Sequence, residues 1–516
     1  MATSAPSSDA QLAKIARGGA INLLGSLVAG VSGFLLAVVV THGWDPGTAG
    51  TLFSATSLFL ILTATALLGT DTGLARFVLR YQAQGRTADV PTVLRVALRP
   101  VLMVSLVMAF LLFIAAEPVA DLTGLPEHGD VALRVLAVTL PLTVLSDSSL
   151  AATRSFGTMR STVVVDRLIR SGGQPVVILV ASVIGAGLTG LSVAWAAPYA
   201  LAAVIAPLML GRMVRRRQVR QVDVHPGRTA AEIRREFWSY TWARGVARIF
   251  QVALQRADII LVAALRSPAE AALYTAATRF VILGQLGVQA IQQVLQPRMA
   301  QLMAMDDHDA VHRVFATSTA WIMAMSWPVY LTATVAAPLY LSVFGDRYHD
   351  QGQLVVILLG LGMLLAMAAG PVDVVLLMAG RSSLSLINNG AALGVDIVLN
   401  LFLIPAYGIN GAAAAWAISL AVRNLLPFWQ VRQGLGLTGV SRAMAVVAAA
   451  SGACFVLPML VLRLTSGLQS GPALVLLALE ALAYGGILWR YRDTLELRAL
   501  RQGGRPGART VPGRNG

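Results

Sequence analysis

Apolar residues recur along this chain in continuous runs long enough for a helix of about twenty residues to cross a bilayer, with short polar connections between them. Read by hydropathy, the runs predict spans near 19–41, 50–73, 96–116, 131–152, 163–184, 190–211, 237–264, 271–296, 315–343, 354–379, 384–405, 410–431, 440–462 and 472–489. The pattern predicts an all-α polytopic membrane protein with about fourteen transmembrane helices. The alternating apolar and polar positions that mark barrel strands do not occur in these runs. The connections are too short to hold a large soluble domain.

Composition narrows the class further. Of 516 residues 56% are hydrophobic and 13% charged, which excludes a cytosolic enzyme and a disordered chain. A single cysteine, Cys454, cannot form a bridge within the chain, which excludes a disulfide scaffold. The polar start, Met1 to Arg17, lacks the charge, short apolar core and small-residue site of a removable signal peptide, so the first run is expected to anchor the chain itself.

The net charge of +15 carries information through its placement. Lys14 is the only lysine. Arg17, Arg76 to Arg99, Arg154 and Arg160, Arg212 to Arg235, Arg298 and Arg313, Arg381, Arg432 and Arg442, and Arg490 to Arg514 fall on alternate connections. The other connections hold few basic residues, among them Arg134, Arg266, Arg347 and Arg463, beside Asp45, Asp121, Asp130, Glu270 and Asp346. By the positive-inside rule both termini are expected in the cytoplasm of a multi-pass inner-membrane protein. The positive charge therefore reads as topology signal and contact with anionic membrane lipids, not as a nucleic-acid surface.

Sliding the sequence along itself gives three matches at one displacement of 221 residues, as from Gly187 to Gly408. Gly187-Leu-Thr-Gly190 with Trp195-Ala matches Gly408-Ile-Asn-Gly411 with Trp416-Ala. Leu52-Phe53-Ser54-Ala55 matches Leu273-Tyr274-Thr275-Ala276, and Arg160-Ser161-Thr162 matches Arg381-Ser382-Ser383. Recurrent turns and basic loops explain each match alone but not their common offset. The expected organisation is a cytoplasmic tail at 1–18, a six-helix lobe at 19–211, a basic linker at 212–236 and a second six-helix lobe at 237–433 in parallel pseudo-repeat. Two extra helices at 434–489 and a basic tail at 490–516 follow. Parallel repeats of this kind are related by an axis along the membrane normal, a layout of two-lobed transporters.

Several stretches resemble the multidrug/oligosaccharidyl-lipid/polysaccharide exporter superfamily and, within it, the polysaccharide transporters or lipid-linked oligosaccharide flippases. They are Leu68-Gly-Thr-Asp-Thr-Gly-Leu-Ala-Arg76-Phe-Val, Arg256-Ala-Asp258-Ile-Ile-Leu-Val, Ala272-Leu-Tyr274-Thr-Ala-Ala, Ala379-Gly-Arg381 and Leu403-Ile-Pro405-Ala-Tyr-Gly408-Ile-Asn-Gly411-Ala-Ala. The resemblance covers the first twelve spans. It implies movement of undecaprenyl-diphosphate-linked oligosaccharides to the outer leaflet by alternating access between two lobes, with a glycan polymerase or glycosyltransferases as further partners.

Ionisable residues inside spans are the candidate site, because an unpaired charge at mid-bilayer costs at least about 2.5–3.5 kcal/mol. The seventh span carries Arg244, Arg248, Arg256 and Asp258, which at 100° per residue fit one wide face. In one reading the three arginines, with Arg279 of the eighth span, hold an anionic diphosphate through the planar guanidinium fork. In the other, Arg244 and Arg248 snorkel to the interface while Arg256 or Arg279 pairs with Asp258. The first lobe adds Asn22, Asp71 and Arg76, and the group Asp166, Arg167 and Arg170, for which interfacial anchoring is the competing reading. Asp147, Asp373 and Asp396 sit deeper and without an evident partner; Asp71, Asp373 and Asp396 are candidates for coupling to a proton or sodium ion. Arg423 and Asn424 before Pro427 predict a kink in the twelfth span.

No P-loop pattern occurs, all six histidines fall in loops, and no metal-binding cluster or cofactor motif is present. A membrane glycan polymerase or ligase would use a sizeable outer loop, and the longest connections on that side, near 117–130 and 344–352, are too short for a domain. The chain is therefore read as a non-enzyme. Three alternatives remain: a peptidoglycan-precursor flippase, a multidrug or organic-cation antiporter of the same superfamily, and a non-transporting scaffold for glycan synthesis.

Overall fold

A computed structural model of the chain describes residues 8–125, 128–156, 158–218, 228–305, 307–349, 351–436, 441–465 and 469–496. It is helical throughout these residues. The first half contains α1 (Ser8–Gly43), α2 (Pro46–Leu67), α3 (Thr70–Ala83), α4 (Val90–Ile114), α5 (Ala116–Leu122) and α6 (Gly129–Arg154). A π-helical stretch, Thr162–Gly172, then leads into α7 (Gly173–Val183) and α8 (Leu188–Gln218). The second half contains α9 (Ala230–Leu265), α10 (Pro268–Ala304), α11 (His308–Val335), α12 (Ala337–Ser342), α13 (Gln353–Ala368), α14 (Val372–Met378) and α15 (Ser382–Leu435). The chain ends with α16 (Arg442–Phe455), α17 (Leu457–Thr465) and α18 (Ser470–Arg490). Parts of the expected tails and linker, 1–7, 219–227 and 497–516, lie outside the described residues.

Every expected span is helical, but not every one is a long apolar rod. Among the described residues nine helices are long and apolar enough to cross a membrane, or ten when α13 and α14, bent by 41° at their junction, form one broken span. The charges of α9 and the Ser, Thr and Trp content of α11 keep those two below the threshold that length and apolarity set. The sequence at 384–431, read as two spans, is two helices that meet at a kink at Gly408, whose φ of 59° and ψ of −139° no helix contains. The second of them continues through Pro427.

Local chemistry explains where the helices begin. Asp45 accepts a hydrogen bond from the Thr48 amide at 2.9 Å, and Pro46 follows at the first helical position, where its missing N–H is no loss. Partial burial opposes ionisation of Asp45, yet the Thr48 hydrogen bonds hold its carboxyl below the ordinary value. At the start of α10, Ser267 accepts from the Glu270 amide and Pro268 follows in the same way. The matched segments Leu52–Ala55 and Leu273–Ala276 thus sit one turn into helices opened by the same device. Thr229 and Glu232 form a reciprocal capping box at the start of α9.

The core is shared between the halves. Leu52, Phe53 and Phe59 of α2 pack in one buried cluster with Ile259 of α9 and Leu273, Tyr274 and Phe280 of α10. The backbones meet at two glycine seams. A Cβ on Gly50 would lie 1.6 Å from the Pro268 carbonyl oxygen, and one on Gly245 would lie 2.6 Å from the Leu68 carbonyl carbon. Leu68 and Gly69 both take left-handed backbone, with φ of 49° and 76°, and this ends α2 and aims α3 along α9. Beyond that seam Arg80 and Arg228 both bind Glu236, at 2.5 and 2.6 Å, and tie α3 to α9 on the face that carries the arginine-rich loops. Outward-facing Met103, Leu106, Phe110 and Leu111 of α4 form part of an apolar surface suited to lipid. The helices α16 and α18 stand to one side, with α16 packed on α11 and Trp321 of α11 donating to the Leu495 carbonyl.

A bulky residue at either seam must force two backbones apart, which costs about 1–3 kcal/mol or more. Gly245→Leu is expected to lower the melting temperature of the detergent-solubilised protein by several degrees, while Gly33→Ala, which meets nothing within 4 Å, leaves it unchanged. Thermal unfolding followed by tryptophan fluorescence checks both.

Candidate functional site

Most of the arginines singled out from sequence lie where the two halves meet. In the first half the pleat of charges is closed. Arg170, at the end of the π-helical stretch, donates to Asp147 of α6 at 2.5 Å and also binds Asp166 one turn earlier. Asp166 also lies 3.3 Å from Arg167 Nε, an ion pair without a hydrogen bond. The Arg170 guanidinium stacks 5.0 Å from the centroid of the Tyr199 ring on α8. Asp147, expected to stand alone, is therefore the principal partner of Arg170: the two lie 23 residues apart in sequence, and only the packing of α6 beside the π-helical stretch joins them. Two arginines facing two aspartates leave this group locally neutral.

The second half is arranged differently. Asp258 does not form an ion pair with its neighbour Arg256; among the described residues no ion pair within 4 Å joins Arg256 or Arg279 to a carboxylate. Asp258 instead accepts from Tyr274 Oη at 2.5 Å and from the Ile259 amide at 2.9 Å. Asp258 thus meets the α10 tyrosine by a hydrogen bond and Arg256 only by a longer-range attraction. Arg256 also lies within electrostatic range of Tyr199 across the seam, and Arg279 lies near enough to Arg256 for the like charges to repel. Arg279 stacks 5.7 Å from the ring of Phe53 on α2, and its Nε has no hydrogen-bond partner. Two arginines at the junction thus hold donors that protein carboxylates do not saturate.

Nearer the basic face, Arg76 of α3 and Arg244 of α9 both lie over Tyr240, at 4.1 and 5.7 Å from its centroid. The structure brings together this pair, which belong to opposite halves. Arg248 is exposed, donates to Gln251 Oε1 at 3.0 Å and lines a cavity of about 490 Å³ with Asp373 and Arg423. Asp71 is bound up in its own helix start, accepting from the Thr72 amide at 2.8 Å, and sits apart from the other carboxylates. Asn22 falls within α1, but its side chain lies outside the described residues. Asp396 of α15 is buried, with Asp258, Asn400 and Ser419 as its nearest electrostatic neighbours, and neither carboxylate oxygen has a hydrogen-bond partner; both amide atoms of Asn400 are equally orphaned. Sequence reading missed Tyr199, Tyr240 and Tyr274, each of which organises one of these charge groups. Their signal was a tyrosine inside an apolar run, whose hydroxyl must find a partner when buried. Among the described residues no group of three or more His, Cys, Asp or Glu side chains is placed to hold a metal ion.

Removing one member of a buried ion pair strands the other, at a cost of about 3 kcal/mol or more. Asp147→Ala is expected to reduce the folded yield and melting temperature sharply, and the double variant Asp147→Leu/Arg170→Met to recover much of both, as read by size-exclusion profile and thermal unfolding.

With this geometry in place, comparison with known proteins is informative. No curated protein matches the chain. Among solved structures, a lipid II flippase in an inward closed conformation superposes with a TM-score of 0.72 at 11% identity, covering 91% of this chain and 98% of that one. An inward-facing multidrug resistance transporter of the MATE family in the MOP superfamily gives 0.66 at 13%, covering 81% and 98%. A MOP superfamily transporter from Pyrococcus furiosus, described as having a binding pocket of reversed polarity, gives 0.55 at 15%, covering 82% and 95%. At these identities the likeness establishes the fold, which is that of MOP superfamily transporters. The family described as "Polysaccharide biosynthesis protein" matches residues 51–352, more than half of the chain, and the protein belongs to that family.

Proposed function

We propose that the protein is an alternating-access flippase that moves a polyprenyl-diphosphate-linked oligosaccharide across the bacterial inner membrane for surface polysaccharide synthesis. The observation that carries this reading is the pair Arg256 and Arg279, held at the junction of the halves without an ion pair within 4 Å among the described residues, Asp258 offsetting Arg256 only at longer range. Unsaturated guanidinium groups in a low-dielectric cleft are stable when water or an anionic ligand reaches them, and a diphosphate offers the oxygens that a guanidinium fork fits. Arg76, Arg244 and Arg248 extend the positive charge toward the basic face and give the headgroup an entry route. In this reading twelve of fourteen spans form two lobes, 19–211 and 237–433, two more follow them, and both termini are cytoplasmic. The family points to polysaccharide synthesis, and the fold to transport.

The likeness to a lipid II flippase keeps a peptidoglycan-precursor substrate as the second reading, since the same cationic junction suits any polyprenyl diphosphate. An organic-cation antiporter is disfavoured because the arginines at the junction and cavity outnumber the unbonded carboxylates, Asp373 and Asp396. Arg170 acts in this scheme as a paired support for Tyr199, one step removed from substrate. Asp396, with Asp258, Asn400 and Ser419, is the candidate for ion coupling, and Asp373 is the second.

Reconstituted wild type is expected to transfer a fluorescent polyprenyl-diphosphate glycan between leaflets. Arg256→Gln/Arg279→Gln should slow transfer at least tenfold while the protein stays monodisperse, and Arg244→Ala/Arg248→Ala should weaken uptake at low substrate. Equal transfer by wild type and the Arg256/Arg279 variant overturns the diphosphate clamp. Asp396→Asn is expected to abolish the dependence of transfer on a sodium or proton gradient while leaving substrate binding intact; an unchanged gradient dependence removes Asp396 from the coupling role.

A further inference from the structure

The 490 Å³ cavity beside Arg248 is lined by a type of residue that neither the charge pattern nor the family resemblance singles out. Gln285, Gln289 and Gln292 stand at i, i+4 and i+7 on α10, one stripe down one face of a helix. Gln251 and Gln255, four apart on α9, border the same cavity. A carboxamide inside a membrane helix is expensive unless something polar meets it. Among the described residues Gln255, Gln285, Gln289 and Gln292 bond no other protein group, and Gln251 takes one bond, from Arg248.

We propose that this glutamine-lined cavity is the glycan subsite, and that it takes the hydroxyl-rich sugars next to the diphosphate. The inference rests on the flippase reading. Four observations favour sugar over other ligands. Each carboxamide donates and accepts at once, matching hydroxyls that do the same. The charged lining, Arg248 and Arg423 against Asp373, sums to only +1, and most of the polar wall is neutral amide. None of the lining side chains is aromatic, which leaves no cation cage. Apolar Val288, Ile322 and Met363 offer surface for the C–H faces of a sugar ring. The volume lies within the roughly 300–1,000 Å³ of small-molecule sites. Chain order places the subsite sensibly: Gln255 adjoins Arg256, so a lipid whose diphosphate meets Arg256 and Arg279 brings its first sugars to the amide stripe.

The test uses the full-length protein in nanodiscs and two probes: bare undecaprenyl diphosphate, and the same lipid carrying a neutral hexose trisaccharide. Wild type should bind the glycosylated lipid about tenfold tighter, the worth of one or two hydrogen bonds without unpaired groups. Gln285→Leu/Gln289→Leu should lose that gain while binding bare lipid as wild type does, which also shows that the variant is folded. Gln255→Leu, on the facing wall, should lose part of it. Equal binding of the two lipids by wild type, or retention of the full gain in the double leucine variant, overturns the glycan subsite. Failure of wild type to bind either lipid is a different result, and it overturns the flippase reading and the inference together.

Discussion

Charge held in a low-dielectric interior is the constraint on which this structure depends. A guanidinium cannot shed its proton to escape burial, so each arginine within a span must meet a carboxylate, an aromatic face or a polar cleft. The two halves meet the demand in opposite ways. The first half neutralises its arginines against Asp147 and Asp166; the second leaves Arg256 and Arg279 open and hands its carboxylate, Asp258, to a tyrosine. A closed group beside an open one gives a binding surface with a rigid wall and a reactive wall.

That asymmetry also explains how much the chain disclosed before any geometry was available. Helices, their approximate limits and the arginine-bearing spans were legible, because run length and a charge inside an apolar run are local properties. The pairing of those charges was not. Arg170 reaches Asp147 across 23 residues, and Tyr274 reaches Asp258 across 16, and both depend on how neighbouring helices rotate. Helical-wheel reasoning put Arg256 and Asp258 on one wide face and suggested a pair. In the folded chain the shorter route for Asp258 is to the hydroxyl of the next helix. The glutamines escaped notice for another reason: a neutral amide carries no charge to single it out, although inside a bilayer it too needs a hydrogen-bond partner.

The glycine seams show the complementary economy. Where α2 meets α10 and where its C-terminal end meets α9, contact is backbone against backbone. These seams fix the distance between the halves, the buried cluster beside them interlocks side chains from both, and the ion pairs of Glu236 fasten one edge.

The π-helical stretch Thr162–Gly172 has a further meaning when set beside the displacement of 221 residues. The offset is the same before the stretch, at Arg160 and Arg381, as after it, at Gly187 and Gly408. The segments between these points are equal in length. The first half uses its share in a wide winding and an open turn, while the second uses the same number in a helix broken at one glycine. Equal lengths of chain thus build unlike walls through winding alone.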